Sequence, residues 1–136
     1  MAKEEKYPLH VKAIIELLGT PKEHLIKSME LLVEDIRKKF SVTKSDIKEP
    51  IKHTEKFFSS FIDFEFTVPS FSELVGFIID YYPSSVEIIE PEIFKEESRN
   101  VTLVLNDLIS KIHRMDMQVK TLLAKNKILE KGNKKS

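Results

Sequence analysis

The sequence predicts an α+β domain followed by a long helix that packs against another helix. Apolar and polar residues alternate in two segments of the first half of the chain, which is the period of a β-strand. Two other segments repeat apolar residues every three or four positions, as helices do, and each starts with Ser or Thr followed three residues later by Glu. The last third follows a seven-residue repeat, which is typical of a coiled coil.

The first strand and helix are predicted from residues 9–40. LHVKAIIELLG, residues 9–19, is apolar at every odd position up to Leu17, which predicts a strand with one buried face. Thr20, Pro21 and Glu23 predict a capping box, with proline at the first helical position, where its missing N–H is not needed. The helix predicted over residues 21–39 carries one apolar stripe: Leu25, Met29, Leu32, Ile36 and Phe40.

The other elements of the domain follow up to residue 92. SVTKSDIKEPIKH predicts an irregular edge strand, because Pro50 cannot donate a hydrogen bond within a sheet. FFSSFIDFEFTV predicts a strand with an apolar face from Phe58 to Val68. Ser70 and Glu73 predict the cap of a short helix, which ends before Pro83, and SSVEIIEP predicts the last strand.

The order β-α-β-β-α-β is that of the split βαβ, or ferredoxin-like, domain. Right-handed crossovers place both helices on one face of a four-stranded sheet, with the first and third strands at its centre. We therefore predict a ferredoxin-like α/β domain in residues 1–92, a linker and a long coiled-coil helix in residues 93–131, and a flexible basic tail in residues 132–136.

The seven-residue repeat forms one narrow apolar seam. Its a and d positions are Val101, Leu105, Leu108, Ile112, Met115, Val119, Leu122, Asn126 and Leu129. A spacing of 3.5 residues over nearly five heptads favours another helix as the neighbour, because a helix on a globular core usually repeats at 3.6.

The residues beside the seam favour a parallel homodimer. In that arrangement Lys111 meets Asp116 of the second copy, and Lys125 meets Glu130, so opposite charges pair. Asn126 at an a position can bond to its own counterpart only when the two helices are parallel and in register. Two alternatives stay open. Apolar residues at e positions widen the seam enough for the helix to fold back on its own sheet or to cross to another domain. A higher oligomer or a heteromer is the second alternative.

The sequence offers little chemistry for catalysis, so we expect no enzyme activity, metal or cofactor. The chain has no cysteine, only three glycines, and no histidine pair four residues apart on a helix. No apolar run approaches the roughly 20 residues that cross a bilayer. The start, MAKEEKYP, lacks the apolar core of a signal peptide, so a cytoplasmic location is expected.

Nucleic-acid binding is a second hypothesis, because residues 101–136 carry a net charge of +5 and residues 1–100 a net charge of −5. The lysines that could contact RNA or a ribonucleoprotein are Lys120, Lys125, Lys127, Lys131, Lys134 and Lys135. Solubility of a long exposed helix explains the same lysines. Phe57 and Phe61 lie on the open sheet face and could meet a partner, but the acidic residues Asp63 and Glu65 beside them disfavour stacked RNA bases.

Residues 80–92, DYYPSSVEIIEPE, and less strongly residues 10–24, HVKAIIELLGTPKEH, resemble a family of small, uncharacterised archaeal proteins. The resemblance covers most of the chain and implies an archaeal cytoplasmic protein without an assigned activity. The order of elements is also similar to that of ACT-like regulatory modules, which implies dimers that bind small ligands near strand–helix loops. Gly19 ends the first strand as a glycine often does in those modules, and the resemblance implies a pocket near Gly19, Thr20, Tyr81, Tyr82, Ser84 and Ser85.

These observations lead to one principal hypothesis and two alternatives. The principal hypothesis is a non-enzymatic, homodimeric interaction or regulatory module whose domains are joined by the C-terminal coiled coil. The alternatives are an RNA- or ribosome-associated factor that uses the lysine-rich helix, and an ACT-like sensor of a small ligand.

Overall fold

The computed structural model describes residues 8–134 of the 136-residue chain. Its elements are β1 (Leu9–Gly19), α1 (Lys22–Lys39), β2 (Ser41–Ile47), β3 (Ile51–Lys52), β4 (Phe58–Val68), α2 (Phe71–Tyr81), β5 (Ser85–Glu90) and α3 (Ser98–Lys134). The chain divides into two compact units, Met1–Glu96 and Glu97–Ser136. We call the first unit the head; the second contains α3.

The head contains a five-stranded antiparallel sheet, which confirms the predicted α+β class. Four strands follow the order β2-β4-β1-β5, and the short strand β3 also pairs with β4. β1 and β4 pair along their whole length, from Leu9 opposite Val68 to Gly19 opposite Phe58. The two strands with the clearest alternating pattern therefore lie at the centre of the sheet, as predicted.

One face of the central strands forms the core. The buried residues of β1 and β4 are Leu9, Val11, Ala13, Ile15, Ile62, Phe64, Phe66 and Val68. Both helices contribute to the same cluster, through Leu25, Met29 and Ile36 of α1 and through Leu74 and Phe77 of α2. Burial of each of these larger side chains stabilises the fold by about 1.5–3 kcal/mol before chain entropy is subtracted.

Four aromatic rings connect the helices to the sheet. Phe77 of α2 lies 4.6 Å from Phe66 of β4 and 5.5 Å from Phe40, the residue that caps α1. Tyr81 extends the cluster, with its ring 5.3 Å from Phe77 and 6.3 Å from Phe40. Because these rings meet at tilted or edge-to-face angles, they fix how the ends of α1 and α2 sit over β4.

The caps of the two head helices agree only partly with prediction. Ser70 caps α2, because its hydroxyl oxygen accepts a 3.3 Å hydrogen bond from the backbone N–H of Glu73. The capping box predicted at Thr20 is wrong. Pro21 itself is the N-cap of α1, with an extended ψ of 173° and no side-chain hydrogen bond. Thr20 therefore lies one residue too early to cap the helix.

The edge formed by β2 and β3 is irregular, as predicted. The register shifts between Val42 and Lys44, and the side chain of Thr43 donates a 3.1 Å hydrogen bond to the carbonyl oxygen of Glu65. The stretch with Pro50 separates β2 from β3. Such interruptions are one way in which proteins protect sheet edges from pairing with other chains.

The C-terminal ends of α2 and α3 differ from each other. Tyr82 ends α2 in the left-handed region, with φ 50°, which a residue with a side chain adopts at some energetic cost. In α3, Gly132 does not end the helix, which continues to Lys134, because one glycine lowers helix stability by only about 1 kcal/mol. The tail predicted for residues 132–136 is therefore helical up to Lys134, and Lys135 and Ser136 lie outside the described residues.

Candidate dimerisation and partner surfaces

The seam of α3 is an exposed apolar stripe. α3 is one uninterrupted helix of 37 residues. Its a and d side chains are exposed from Ile112 (57%) through Leu122 (61%) to Leu129 (66%), whereas Val101 and Leu108 are half-buried. A long continuous stripe of this kind is typical of interaction surfaces, because isolated exposed apolar residues are common but aligned ones are not.

Charged residues border this stripe on both sides. Lys111 and Lys125 occupy g positions, and Asp116 and Glu130 occupy e positions. Within the chain, Asp116 forms a 2.8 Å ion pair with Lys120, one turn further along. Asn126 is exposed at its a position, so its amide lies in the surface that a second helix would cover.

The opposite side of α3 carries lysines. Lys120, Lys127 and Lys131 are seven and four residues apart, so they lie within a narrow sector of the helix surface. Lys125 lies beside the seam instead. Lys134 is the last residue of α3, and the predicted contact Lys135 lies outside the described residues.

The open face of the sheet is a ladder of alternating charges. Lys44, Glu65, Lys12 and Glu87 stand opposite one another on β2, β4, β1 and β5. Lys12 Nζ lies 3.7 Å from Glu65, and His10 Nε2 lies 3.8 Å from the same carboxylate. A depression of about 370 Å³ lies over this ladder and is lined also by Asp46, Asp63 and Ser85. Charges of both signs keep this face polar.

Asp46 and Asp63 are direct neighbours across β2 and β4, which places two negative charges side by side. Lys48 bridges them, with its Nζ 2.6 Å from Asp46 and 3.5 Å from Asp63. The hydrogen bond to Asp46 raises the pKa of Lys48 above its ordinary value. The sequence alone does not reveal this trio, because Lys48 lies outside β2 and the register shift in that strand decides which residue faces Asp63.

The aromatic residues predicted on the open face lie toward one end of it. Phe57 precedes β4 and is exposed, whereas Phe61 is half-buried opposite Glu16. Two further exposed apolar side chains, Leu18 and Ile51, flank Ser59 on the neighbouring strands. This end of the open face is therefore apolar, while its centre is charged.

The residues predicted to surround a small ligand are not brought together. Gly19 ends β1 opposite Phe58. The turn before β5 instead meets the middle of β1, since the backbone N–H of Ser84 donates a 2.7 Å hydrogen bond to the carbonyl oxygen of Ile14. Gly19 lies five residues after Ile14 along the strand, at a distance of about 17 Å. The side chain of Ser84 also donates a hydrogen bond to the carbonyl oxygen of Ile14, and Ser85 pairs with Ile14 in the sheet. The turn therefore holds the start of β5 against β1.

Tyr81 also has a structural partner. Its hydroxyl donates a 2.7 Å hydrogen bond to Asp35, and Lys39 Nζ lies 3.4 Å from the same carboxylate and 5.6 Å from the centre of the Tyr81 ring. Burial, followed by the bond to Asp35, raises the pKa of Tyr81. The hydrogen bond from Tyr81 is the main cause that lowers the pKa of Asp35.

One polar pair was not predicted. Ser59 and Ser60 are buried within β4, and Ser59 Oγ shares a hydrogen bond with His53 Nε2. Ser60 Oγ donates to the carbonyl oxygen of Lys48. These bonds satisfy buried hydroxyls at the β3–β4 edge.

Among residues 8–134, no group of three or more His, Cys, Asp or Glu side chains is arranged to hold a metal ion. The same residues contain no helix with the length and apolar character that crossing a bilayer requires.

Comparison with known proteins places this chain in a family. The model of the MJ0538 family matches residues 10–135, which include both the sheet and α3. The chain is also 27% identical over 104 residues to "Uncharacterized protein MJ0538" of the archaeon Methanocaldococcus jannaschii; this match covers 75% of the chain and 40% of the relative. The chain thus spans about two fifths of the length of that relative. No solved structure matches the chain. The resemblance to an uncharacterised archaeal family is therefore confirmed, and the chain belongs to the MJ0538 family.

Proposed function

We propose that this protein is a non-enzymatic, homodimeric interaction module, in which a parallel coiled coil of two α3 helices joins two ferredoxin-like heads. The observation that carries the proposal is the exposed seam of α3 from Ile112 to Leu129. In water such a stripe favours burial, at about 25 cal/mol per Å² of apolar surface removed from solvent. A second copy of the same helix is the occupant whose shape and charge fit it best.

The residues inside the seam favour two parallel strands. β-branched Ile112 and Val119 occupy a positions, and Leu122 and Leu129 occupy d positions. This distribution is typical of parallel dimers, because β-branched side chains pack well at a and leucine packs well at d. Asn126 supports the same arrangement, since its amide can hydrogen-bond to the Asn126 of a second copy only in register.

The charges beside the seam favour the same pairing. Lys111 and Asp116 of two parallel helices lie close enough to attract, as do Lys125 and Glu130. An antiparallel pair would bring g positions together and set lysine against lysine. Exposed ion pairs contribute little stability each, so these contacts select the orientation while the apolar seam supplies the binding energy.

The strand order supports a ferredoxin-like head. If β2 and β3 count as one interrupted edge strand, the order of elements is β-α-β-β-α-β, and the sheet has its first and third strands at the centre. Two heads joined by one coiled coil would present two identical surfaces to a partner. Joining them raises the effective concentration of the second head once the first is bound, so a weak single contact becomes a firm double one.

The test compares two double variants of the full chain. Met115→Lys with Leu122→Lys changes two exposed d positions, whereas Leu103→Lys with Met117→Lys changes two exposed f positions on the other side of α3. Both pairs add the same charge to the same helix. Light scattering should give a dimer for the wild type and the f variant, and a monomer with unchanged head signals in circular dichroism for the d variant. A dimeric d variant would show that assembly lies elsewhere, as in contacts between heads, and a monomeric wild type would favour a fold-back of α3 on its own sheet.

A further inference from the structure

Three lysines on the back of α3, which we call the lysine ridge, form a surface that the coiled coil does not use. The ridge consists of Lys120, Lys127 and Lys131. At 100° per residue, these side chains leave the helix within about 40° of one another, and the centre of the seam lies about 140° away. Along the axis the ridge is about 16 Å long. Its lysines therefore stay accessible when the seam is covered.

The ridge lies in a strongly basic part of the chain. Residues 117–134 contain five lysines and one acidic residue, Glu130, which borders the seam. Lys120 is partly neutralised by its 2.8 Å ion pair with Asp116. For Lys127 and Lys131 the structure gives no ion pair with any of the described residues 8–134. The positive potential is thus strongest at the end of α3 that follows Lys120.

We propose that the lysine ridge binds the phosphate backbone of double-helical nucleic acid without reading its sequence. A straight row of flexible ammonium groups matches regularly spaced phosphates, and lysine acts on phosphate as a point charge. No row of amide or guanidinium groups accompanies the ridge, so base-specific contacts are not expected. The head carries the opposite net charge, because residues 1–100 sum to −5, so the phosphates would be directed to α3.

The arrangement favours nucleic acid over a lipid surface. A helix that lies on a membrane inserts a continuous apolar face between lipid headgroups. The continuous apolar face of α3 is the seam, which points away from the ridge. The large exposed apolar side chains beside the ridge are Met117 and Ile128 on one side and Leu123, which borders the seam, on the other. The ridge by itself therefore offers positive charge but no continuous apolar surface that could insert between lipid headgroups.

The test measures binding of the full chain to a fluorescently labelled RNA duplex and to the DNA duplex of the same sequence, as salt is raised. A ridge variant carries Lys120→Gln, Lys127→Gln and Lys131→Gln. A control variant carries Lys27→Gln, Lys38→Gln and Lys52→Gln at exposed head positions. Glutamine keeps a high helix propensity, so α3 should remain helical.

We expect the wild type and the control variant to bind, with log K falling against log salt at a slope of about −2.7 for one ridge of three lysines. That slope corresponds to about a 40-fold loss of affinity between 50 and 200 mM salt. The ridge variant should lose most of this binding and most of the slope. Lys120→Gln alone should weaken binding less than Lys127→Gln, because Asp116 already neutralises part of the Lys120 charge.

Three results would overturn the proposal: no duplex binding at low salt, equal losses in the ridge and control variants, or ridge-dependent binding to phosphatidylserine vesicles without binding to either duplex. Preference for RNA or DNA distinguishes the source of the phosphates and supports the proposal in either case. The mass of each variant, measured in the same buffer, shows whether a variant that loses duplex binding is still a dimer. Loss of duplex binding and loss of dimerisation can then be told apart.

Discussion

The hydroxyl of Tyr81, at the end of α2, donates a 2.7 Å hydrogen bond to the carboxylate of Asp35 in α1. Lys39, one turn after Asp35, completes the group with a 3.4 Å ion pair to the same carboxylate. The contact joins the two head helices at the surface, directly above the cluster formed by Phe40, Phe66 and Phe77. It therefore connects a charged surface group to the packing of the core.

We predict that this contact makes the stability of the head sensitive to acid. The pKa of Asp35 is lowered from 3.8, chiefly by the hydrogen bond from Tyr81. A lowered folded-state pKa contributes stability that is present above the unfolded value and is lost as the pH falls through the folded value. Tyr81→Phe should therefore lower the melting temperature near neutral pH, and the difference from the wild type should shrink below about pH 4.

Thermal melts of the wild type, Tyr81→Phe and Asp35→Asn over an acid series measure this effect. Tyr82→Phe, a change at the neighbouring tyrosine, is the matched control, because the 2.7 Å hydrogen bond to Asp35 comes from the hydroxyl of Tyr81. A Tyr81→Phe difference that stays constant from neutral to strongly acid pH would show that the loss comes from ring packing and not from the charged hydrogen bond.

A second prediction concerns Lys48, which lies between two carboxylates. Asp46 and Asp63 face each other across β2 and β4, and like charges at directly opposed positions destabilise a sheet. Lys48→Met should lower the melting temperature, and Asp46→Asn in that background should recover part of the loss because it removes one of the two charges. Lys52→Met, an exposed lysine of the same sheet edge, is the control and should change little. Equal effects of Lys48→Met and Lys52→Met would argue against the bridge.

A third prediction concerns Asn126, the polar residue of the seam. Asn126→Val should raise the melting temperature of the dimer, because a buried polar a position specifies register and oligomeric state at the expense of stability. The same variant should show additional oligomeric species in sedimentation or light scattering. Lys127→Val, at the next position outside the seam, is the control for the effect that a valine in α3 has on the melting temperature by itself. An unchanged melting curve for Asn126→Val would indicate that Asn126 stays exposed to water in the assembled protein.

The elements of the head could be predicted where the pattern is repetitive. β1 alternates from Leu9 to Leu17 and β4 from Ile62 to Val68, so both their existence and their buried faces follow from the sequence. Short-range signals were less reliable. Thr20 and Pro21 both suit the start of a helix, and the choice between them depends on the backbone angles that the chain adopts as it leaves β1.

Contacts between distant residues could not be predicted because they depend on register. The bridge of Lys48 to Asp46 and Asp63 requires the shift between Val42 and Lys44, which no local pattern reveals. The ligand pocket expected between Gly19 and the turn before β5 requires a β5 strand long enough to reach the end of β1. Instead, β5 begins opposite Ile14. The stripe of α3 is different, because a heptad repeat defines a surface within one helix and needs no tertiary information.

The pairing of two parallel α3 helices is tested most directly by a single cysteine. The chain has none, so any crosslink must involve the introduced residue. In a parallel dimer the two copies of a d residue lie side by side, close enough for a disulfide. Under mild oxidation Leu129→Cys should form a covalent dimer on a non-reducing gel, whereas Met117→Cys, on the opposite side of the helix, should stay monomeric. If Leu129→Cys forms no crosslink, and crosslinks appear only when it is mixed with Leu105→Cys, the two helices run in opposite directions and the account of assembly is contradicted.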